Sequence, residues 1–280
     1  MKIILLLLAL LLLTVVAIHF GSTRWIKVYH HIIYFDDLPP HLEGFRILHF
    51  SDLHSNDTER MNLNIWRHIA RLDFDMAAIT GDIVLGRPWS HTGPILELEP
   101  HREHFAALAQ RAPTFFVEGN HESNHFNQIS QFMDEVGITF LHNQAAILEI
   151  NGGTIEIIGT ADFSTLQRIG YDGFHTLFND LSDNFQVVLT HQPQLFDLFK
   201  TSGINLALAG HSHGGQVRLP FFPTIYAPNQ GLWPAYGAGF YHYGDAVLYV
   251  SRGLGTTYFP VRFWNRPSIS IIELRNRGSS

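Results

Sequence analysis

Five short segments of the 280-residue sequence combine carboxylate, amide and imidazole side chains at spacings that suit metal binding. In chain order they are Asp52-Leu-His54, Gly81-Asp82, Gly119-Asn-His-Glu122, Thr190-His191 and Gly210-His-Ser-His213. Side chains alternate along an extended chain, so two ligands that are two residues apart point the same way. A glycine precedes Asp82, Asn120 and His211, where it lets the chain turn sharply and bring its backbone close to an ion. The chemistry that these segments indicate is that of a metal centre.

The number of ligands indicates two ions rather than one. The five segments offer two aspartates, one asparagine and four histidines before His121 is counted. A tetrahedral ion takes four ligands, whereas two ions that share a bridging carboxylate suit a set of seven. One Asp-x-His or His-x-His pair alone is more often a surface or capping feature. Five ligand segments that each follow an apolar run indicate a single site.

The stretches around these segments predict an alternating α/β chain from about residue 44. Strands are predicted at residues 45–50, 76–80, 114–117, 155–158, 186–189 and 206–208. Helices are predicted at residues 59–71, 101–111 and 129–136, and the first carries Leu63, Trp66 and Ile69 on one apolar stripe. Ligands of open α/β sheets bind at the carboxyl ends of strands, and the five segments lie at such ends.

The composition excludes several classes of protein. The chain has no cysteine, which excludes disulfide scaffolds, thiolate zinc fingers, iron–sulfur clusters and cysteine nucleophiles. A formal net charge of −7 at pH 7 argues against a general nucleic-acid coat, which needs a basic surface. With 46% hydrophobic and 15% charged residues the chain is not a disordered one.

Residues 1–22 are predicted to form a transmembrane anchor, followed by a linker and first strand over residues 23–43. Residues 3–18 contain only Ile, Leu, Ala, Val and one Thr. With a few flanking residues, a helix of this length crosses a hydrocarbon core of about 30 Å. The alternative is a cleaved signal peptide with Val15 and Ala17 before the cut, although the apolar stretch is longer than usual for one. Basic residues are balanced on the two sides, so the membrane orientation stays open.

The order and spacing of the five segments resemble those of the calcineurin-like metallophosphoesterases, and the match extends over roughly residues 45–275. Residues 210–220, 250–256 and 260–267 are similar to the membrane-associated bacterial branch of that family. That branch includes phosphodiesterases and enzymes that hydrolyse UDP-2,3-diacylglucosamine in lipid A synthesis. The resemblance implies an α/β fold, a four-layer α/β/β/α sandwich over residues 44–280, which follows the predicted transmembrane helix. Together, the helix and the resemblance predict a single-pass location in a bacterial inner (cytoplasmic) membrane.

The same resemblance implies a role for each residue of the five segments. The ligands of one divalent ion are Asp52, His54, Asp82 and His213. The ligands of the second ion are Asp82, Asn120, His191 and His211, with Asp82 as the bridge. Carboxylate, amide and imidazole donors without sulfur suit Mn, Fe or Zn. His121 lies outside the ligand set, which suits a catalytic proton donor to the leaving oxygen or a stabiliser of transition-state charge; a structural histidine is the alternative.

Two residues depart from the pattern of the family. Relatives often have an aspartate three residues after the bridging one, where it orients the catalytic histidine, and Leu85 occupies that position here. Glu122 replaces the aspartate of the usual Asn-His-Asp. Neither change removes a metal ligand. Both bear on how His121 acts as an acid, so hydrolysis of a monoester stays an alternative.

The predicted function is hydrolysis of a phosphodiester or pyrophosphate by attack of a metal-bridging hydroxide, with a lipid-linked substrate such as UDP-2,3-diacylglucosamine as one candidate. Aromatic residues flanked by proline occur at 219–226 and 258–260, and a further aromatic pair occurs at 263–264. These residues are candidates for contact with an acyl chain or a membrane interface. The alternative is ordinary packing around a loop. Three arginines are candidates for binding a phosphate group or for structural ion pairs, namely Arg252, Arg262 and Arg266. The alternatives are a phosphomonoesterase, a cyclic-nucleotide phosphodiesterase and a non-catalytic envelope-binding module.

Overall fold

Two six-stranded sheets form the core of the structure, a computed structural model. It describes residues 25–54, 59–85, 93–179, 181–219, 222–256 and 262–279, with residues 21–23 and seven further positions before them. The strands in these ranges are β1 (Lys27–Phe35), β2 (Arg46–Phe50), β3 (Met76–Thr80), β4 (Thr114–Val117), β5 (Thr139–Phe140), β6 (Gln144–Ile150), β7 (Gly153–Gly159), β8 (Phe185–Leu189), β9 (Leu206–Ala209), β10 (Tyr226–Ala227), β11 (Gly231–Leu232), β12 (Gly239–Tyr243), β13 (Ala246–Val250) and β14 (Ser268–Asn276). The helices are α1 (Glu59–Ile69), α2 (Pro94–Leu98), α3 (Arg102–Arg111), α4 (Phe126–Glu135), α5 (Phe163–Ile169), α6 (Asp172–Asn179) and α7 (Phe196–Phe199).

The first sheet has the strand order β1-β14-β2-β3-β4-β5. Strands β2 to β5 run parallel, β14 runs antiparallel to β2, and β1 pairs in parallel with β14 from Lys27 and Ser268 to Phe35 and Asn276. The central strands β3 and β4 are buried along their whole length, as expected for parallel strands that are covered on both faces. The carboxyl ends of β2, β3 and β4 therefore lie side by side.

The second sheet has the order β12-β13-β9-β8-β7-β6. Its four inner strands are parallel and its two edge strands are antiparallel to their neighbours. The carboxyl ends of β8 and β9 lead directly into Thr190-His191 and Gly210-His211. The His191 ring reaches the carbonyl oxygen of Thr80 at the end of β3, so the strand ends of the two sheets meet at one edge.

Three apolar clusters hold the layers together. The central cluster lies between the sheets and joins β2 and β4 side chains such as Ile47 and Val117 to Ile157 and Leu208 of β7 and β9. The other faces of the two sheets are covered by helices, α1, α3 and α4 on the first and α5, α6 and α7 on the second. The order of layers is helix, sheet, sheet, helix, because each sheet is apolar on both faces and each helix on one stripe.

The predicted strands and helices are confirmed, with small shifts at their ends. The six predicted strands correspond to β2, β3, β4, β7, β8 and β9, and the three predicted helices to α1, α3 and α4. The stripe of α1 was placed wrongly at one position, since Leu63 is 37% exposed while Ile65, Trp66 and Ile69 are buried. Trp66 and Ile69 lie on the predicted face, and Ile65 completes that face in place of Leu63.

The prediction of an N-terminal transmembrane helix is wrong on the described residues. None of the helices in the described part of the chain is long and apolar enough to cross a membrane. The fold class therefore loses its predicted anchor, and the single-pass inner-membrane location loses its basis. The rest of residues 1–22 lies outside the described residues.

Candidate metal centre

All seven predicted ligands lie at the edge where the strand ends of the two sheets meet. Asp52 and His54 follow β2, Asp82 follows β3, and Asn120 follows β4. From the second sheet, His191 follows β8, and His211 and His213 follow β9. Six of the seven side chains are buried, and Asn120 is half-buried. The structure thus brings together residues that are up to 161 positions apart (from 52 to 213).

One group of ligand atoms is formed by Asp52, His54 and His213, whose donor atoms all lie within 4.8 Å of one another. The Nε2 atoms of His54 and His213 are 3.2 Å apart, and His213 Nε2 lies 3.3 Å from an Asp52 carboxylate oxygen. Two imidazole nitrogens and a carboxylate that converge in a buried space are the donor set of a divalent metal.

A second group is formed by Asp82, His191 and His211, again within 4.8 Å. Asp82 Oδ2 lies 3.1 Å from His191 Nε2, and His211 Nδ1 lies 3.1 Å from the same nitrogen. Asp82 Oδ2 is also 3.8 Å from His54 Nε2 of the first group. Asp82 therefore lies between the two groups, where one carboxylate reaches both.

Backbone carbonyls of residues 80–85 orient three of the imidazoles. Each ring offers Nδ1 to a carbonyl oxygen of this segment: His191 to Thr80, His54 to Val84 and His121 to Leu85. A carbonyl only accepts, so Nδ1 carries the proton and Nε2 of the neutral ring keeps its lone pair. All three Nε2 atoms face Asp82 Oδ2, at distances of 3.1 to 3.8 Å. A carbonyl partner of this kind fixes the tautomer and direction of a ligand histidine.

Five of the predicted ligands have backbone conformations that non-glycine residues rarely adopt. Their φ angles are +53° at Asp52, +43° at His54, +53° at Asp82, +65° at His211 and +47° at His213. The left-handed region costs an L-residue about 1–2 kcal/mol, so the surrounding structure must hold these residues there. Such strain concentrates at functional sites, and the spacing of the motifs gave no sign of it.

The glycines that precede two ligands are required by close approach of two turns. Gly81 has φ +77°, and a Cβ on it would lie 2.5 Å from Gly119 N and 2.7 Å from His191 Nδ1. A Cβ on Gly119 would overlap the Asp82 carboxylate. Glycine at both positions lets the turns after β3 and β4 pack backbone against backbone, which places Asp82 beside Asn120.

Glu122 joins the same two turns through its carboxylate. Oε2 accepts from the backbone N–H groups of Asp82 at 2.8 Å and Gly119 at 2.7 Å, and Oε1 accepts from Val84 N–H at 3.0 Å. Burial, aided by the Asp82 charge, raises the pKa of Glu122 to about 7. The substitution of glutamate for the aspartate of the family thus leaves a residue that fixes the ligand backbone. Sequence reasoning had no signal for this role.

Burial and neighbouring charges shift the pKa values of the buried histidines and aspartates of the centre. Burial lowers the pKa of His54 and of His211 to about 3, so both rings are neutral at pH 7, as metal ligation requires. Burial, with the charge of Asp82, raises the pKa of Asp52 to about 6. Burial alone would raise the pKa of Asp82, but the neighbouring histidines, His191 first, outweigh it and hold that pKa well below 3.8.

Two unpaired buried atoms are further evidence that the donor set suits divalent cations. Among the described residues, Asn120 Oδ1 and His211 Nε2 are buried atoms without a hydrogen-bond partner. Buried polar atoms are rarely left unpaired, and a ligand is one explanation of an exception. Both belong to residues that were predicted as ligands from the sequence. The chain therefore has His and Asp groups that can hold a divalent metal ion.

The three arginines singled out in the sequence have different surroundings. Arg262 is fully buried, and its guanidinium donates to the carbonyl oxygens of Arg252, Gly255 and Asn265, with Nη2 3.4 Å from His213 Nδ1. Arg266 donates to the backbone of residues 25 and 26. The Arg252 guanidinium lies 5.4 Å from the centre of the Tyr29 ring. Arg262 is thus a structural part of the centre, which its sequence context alone did not reveal.

Apolar side chains are exposed along the chain that follows His213. Leu219, Phe222 and Tyr226 are 42%, 56% and 53% exposed, and Trp264 is 53% exposed. Residues 258–260, the second predicted aromatic stretch, lie outside the described residues. The described aromatics of this region are therefore largely solvent-facing rather than packed in the core.

The class of protein follows from the fold, the site and the sequence together. The family model described as calcineurin-like phosphoesterase matches residues 45–215, more than half of the chain. The chain belongs to this family. The predictions of family and of a metal-dependent phosphoester hydrolase are confirmed; membership of the membrane-associated branch stays a prediction.

Curated relatives match nearly the whole chain. The metallophosphoesterase YkuE of Bacillus subtilis (strain 168) is 30% identical over 270 residues, which cover 92% of this chain and 90% of that protein. The phosphodiesterase YaeI of Escherichia coli (strain K12) is 29% identical over 267 residues and 91% of each chain. The metallophosphoesterase YkoQ of Bacillus subtilis (strain 168) is 26% identical over 257 residues, 90% of this chain and 92% of that protein.

Proposed function

We propose that the centre holds two divalent cations, Mn, Fe or Zn, and hydrolyses a phosphodiester or pyrophosphate bond. The observation that carries the proposal is the position of Asp82 Oδ2, 3.8 Å from His54 Nε2 in one donor group and 3.1 Å from His191 Nε2 in the other. One ion takes Asp52, His54, Asp82 and His213. The other takes Asp82, Asn120, His191 and His211.

Two divalent ions, when bound, supply a water of lowered pKa and neutralise the charge of the phosphate. For the rest of phosphoryl transfer, the main contribution of the protein is to position the reacting groups. The carbonyl oxygens of residues 80–85 keep the imidazole rings in one orientation, and Glu122 keeps the turns that carry Asp82 and Asn120 together. The chain thus fixes the donor atoms before substrate arrives, which lowers the reorganisation that the reaction requires.

His121 is proposed to give a proton to the leaving oxygen. Its Nδ1 faces the Leu85 carbonyl, its Nε2 lies 3.8 Å from Asp82 Oδ2, and its side chain is 13% exposed. The ring is thus held at the rim of the buried donor groups, where a leaving group can reach it. A positioned general acid contributes typically 10²- to 10⁴-fold to a rate.

A lipid-linked nucleotide such as UDP-2,3-diacylglucosamine is proposed as the substrate class. The support is a set of exposed apolar side chains that begins four positions after the predicted ligand His213, namely Val217, Leu219, Phe222, Tyr226, Leu232 and Trp233. Exposed apolar groups beside a polar site suit a substrate with an acyl chain and a charged head. The similarity to a protein named a phosphodiesterase supports a diester or pyrophosphate over a monoester.

The central experiment measures hydrolysis of bis(p-nitrophenyl) phosphate by the full chain loaded with Mn²⁺. We expect turnover that is lost in Asp82→Asn, because this change removes the shared charge. Asp134→Asn is the matched control, since Asp134 is exposed on α4 and takes no part in the centre. If the metal-loaded protein cleaves no phosphoester, the proposal fails, and a non-catalytic envelope-binding role gains support.

The substrate class is tested separately with UDP-2,3-diacylglucosamine, p-nitrophenyl phosphate and a 2′,3′-cyclic nucleotide. We expect release of UMP from the first at a kcat/KM at least ~10-fold above that for the other two. Phe222→Ser should reduce kcat/KM for the acylated substrate alone. Preference for the monoester or the cyclic nucleotide would contradict the lipid-linked assignment and leave the metal assignment intact.

A further inference from the structure

His121 has an orienting partner although the aspartate that orients it in relatives is absent. Leu85 occupies that position, and the leucine side chain cannot accept a hydrogen bond. His121 Nδ1 instead faces the backbone carbonyl oxygen of Leu85. The direction of the ring therefore depends on the orientation of the backbone at Leu85.

The backbone at Leu85 is itself held by a carboxylate. The Leu85 N–H donates to Glu97 Oε2 at 2.6 Å, a short charge-assisted hydrogen bond. The preceding residue, Val84, donates its N–H to Glu122 Oε1 at 3.0 Å. Two buried or half-buried glutamates thus hold successive residues of the segment that carries the carbonyl partner of His121.

Glu97 is presented by a helix that is fixed on the core. It lies in α2, where the next residue, Leu98, is fully buried in the apolar cluster under the first sheet. Ile95 packs against the same cluster. The position of Glu97 is therefore determined by packing of its own helix, independently of the turn that it contacts.

We propose that Glu97 is a positioning residue for His121 and acts through the backbone of Leu85. The carboxylate holds the N–H of Leu85 and thereby the backbone of that residue, so that the carbonyl oxygen of Leu85, in the next peptide group, accepts from Nδ1–H of His121 and keeps Nε2 directed toward the reacting centre. A glutamate twelve residues after Leu85 thus takes the function of the missing aspartate. The effect on turnover depends on the proposed function; the effect on the His121 ring does not.

The kinetic experiment compares Glu97→Ala with Glu97→Gln on two diesters. Bis(p-nitrophenyl) phosphate has a good leaving group, and diphenyl phosphate has a poor one that needs protonation. We expect Glu97→Ala to reduce kcat about 30-fold for diphenyl phosphate and less than about 3-fold for the nitrophenyl ester, with KM unchanged. Glu97→Gln should restore most of the loss, because its amide oxygen can accept from Leu85 N–H.

A matched control is Glu99→Ala, since Glu99 is an exposed neighbour whose carboxylate pairs with Arg102. It should leave both substrates unchanged. If Glu97→Ala lowers the two rates by the same factor, or if Glu97→Gln behaves like the alanine variant, the positioning role is overturned.

The spectroscopic experiment needs no turnover. In protein labelled with ¹⁵N-histidine, the His121 ring, assigned by comparison with His121→Gln, should show protonated Nδ1 in the wild type and in Glu97→Gln. In Glu97→Ala we expect a shift toward a mixture of tautomers. An unchanged His121 signal in Glu97→Ala contradicts the proposal. If the wild type shows the expected signal and no hydrolysis, the proposed function fails while the positioning role stands.

Discussion

Among the predicted ligands of the candidate metal centre, the first sheet carries every carboxylate and amide, whereas the second sheet carries histidines alone. Asp52, Asp82 and Asn120 follow strands of the first sheet, and His191, His211 and His213 follow strands of the second. The negative charge that attracts cations therefore comes from one half of the centre. The other half offers only histidine nitrogens, and the charges of Asp82 and Asp52 raise the pKa of His191 well above its usual range despite its burial.

The two halves are also held in place by different means. On the first sheet, Glu122 accepts three backbone N–H groups from the turns that carry Asp82 and Asn120. On the second sheet, the turn at His213 is held by Asn265, whose Nδ2 donates to the His213 carbonyl at 2.6 Å, and by Arg262. A buried glutamate fixes the half that carries the carboxylates, and a buried arginine from the C-terminal segment fixes the half that carries only histidines.

The largest expected effect compares two ligands of the same proposed ion, one from each half. Asp52→Asn should reduce turnover of bis(p-nitrophenyl) phosphate by ~1,000-fold and lower the bound metal, because it removes a charged donor. His213→Asn should reduce turnover by ~100-fold, because it removes a neutral one. Kinetics at saturating Mn²⁺ and metal content by mass spectrometry measure both. Equal losses would show that charge does not distinguish the halves.

The next effect concerns the acid that fixes the first half. Glu122→Gln should lower the free energy of unfolding of the metal-free protein by about 3 kcal/mol, because one of its two acceptors becomes a donor facing buried N–H groups. Denaturant unfolding at pH 8 measures the change. Glu103→Gln, an exposed glutamate on α3, is the control and should change stability by less than about 0.5 kcal/mol. A loss below 1 kcal/mol would contradict the fixing role.

A smaller effect is expected for the base that fixes the second half. Burial lowers the pKa of Arg262 to about 10, so it stays protonated at pH 7. Arg262→Met should lower the free energy of unfolding by about 2 kcal/mol, because the carbonyl oxygens of Arg252, Gly255 and Asn265 lose their donor. Arg67→Met, on an exposed face of α1, is the control. Similar unfolding curves for the two variants would show that Arg262 does not support the turn.

The smallest expected effect is a pH dependence of the free energy of unfolding, and it arises from a histidine of the first sheet. His49 of β2 is fully buried, with Nε2 2.8 Å from Thr80 Oγ1, and burial lowers its pKa from 6.5 to about 3. The equivalent contact on the second sheet joins two neutral hydroxyls, those of Thr160 and Thr190. Between pH 6.5 and about 3 the unfolded state binds a proton at His49 that the folded state does not, so stability falls as pH falls.

This pH dependence is measured as the free energy of unfolding of the metal-free protein from pH 7 to pH 5. His49→Gln keeps a donor for Thr80 and cannot titrate. The difference between wild type and variant should grow by about 1 kcal/mol for each pH unit below 6.5. Parallel pH profiles would show that His49 takes up its proton in the folded state as readily as in the unfolded one.

Much of the fold followed from local patterns in the sequence. Strands such as residues 76–80 and 114–117 were predicted with their observed ends, because a short apolar run that stops at glycine or glutamate marks a buried strand. Strands β1 and β14, which pair in parallel at the edge of the first sheet, were not recognised as partners. Pairing between residues more than 200 positions apart leaves no local signal.

The sequence by itself determined which residue types arrive at the centre and in what order. Ligand identity depends on the side chain and on its place at a strand end, and both are local properties of the chain. Only the tertiary structure decided which nitrogen of each histidine faces the centre and what holds it there. Those contacts join Leu85 to Glu97, Asp82 to Glu122 and His213 to Arg262, across 12, 40 and 49 positions. Hydrogen bonds of this range are set by the packing of whole elements, and no spacing of motifs encodes them.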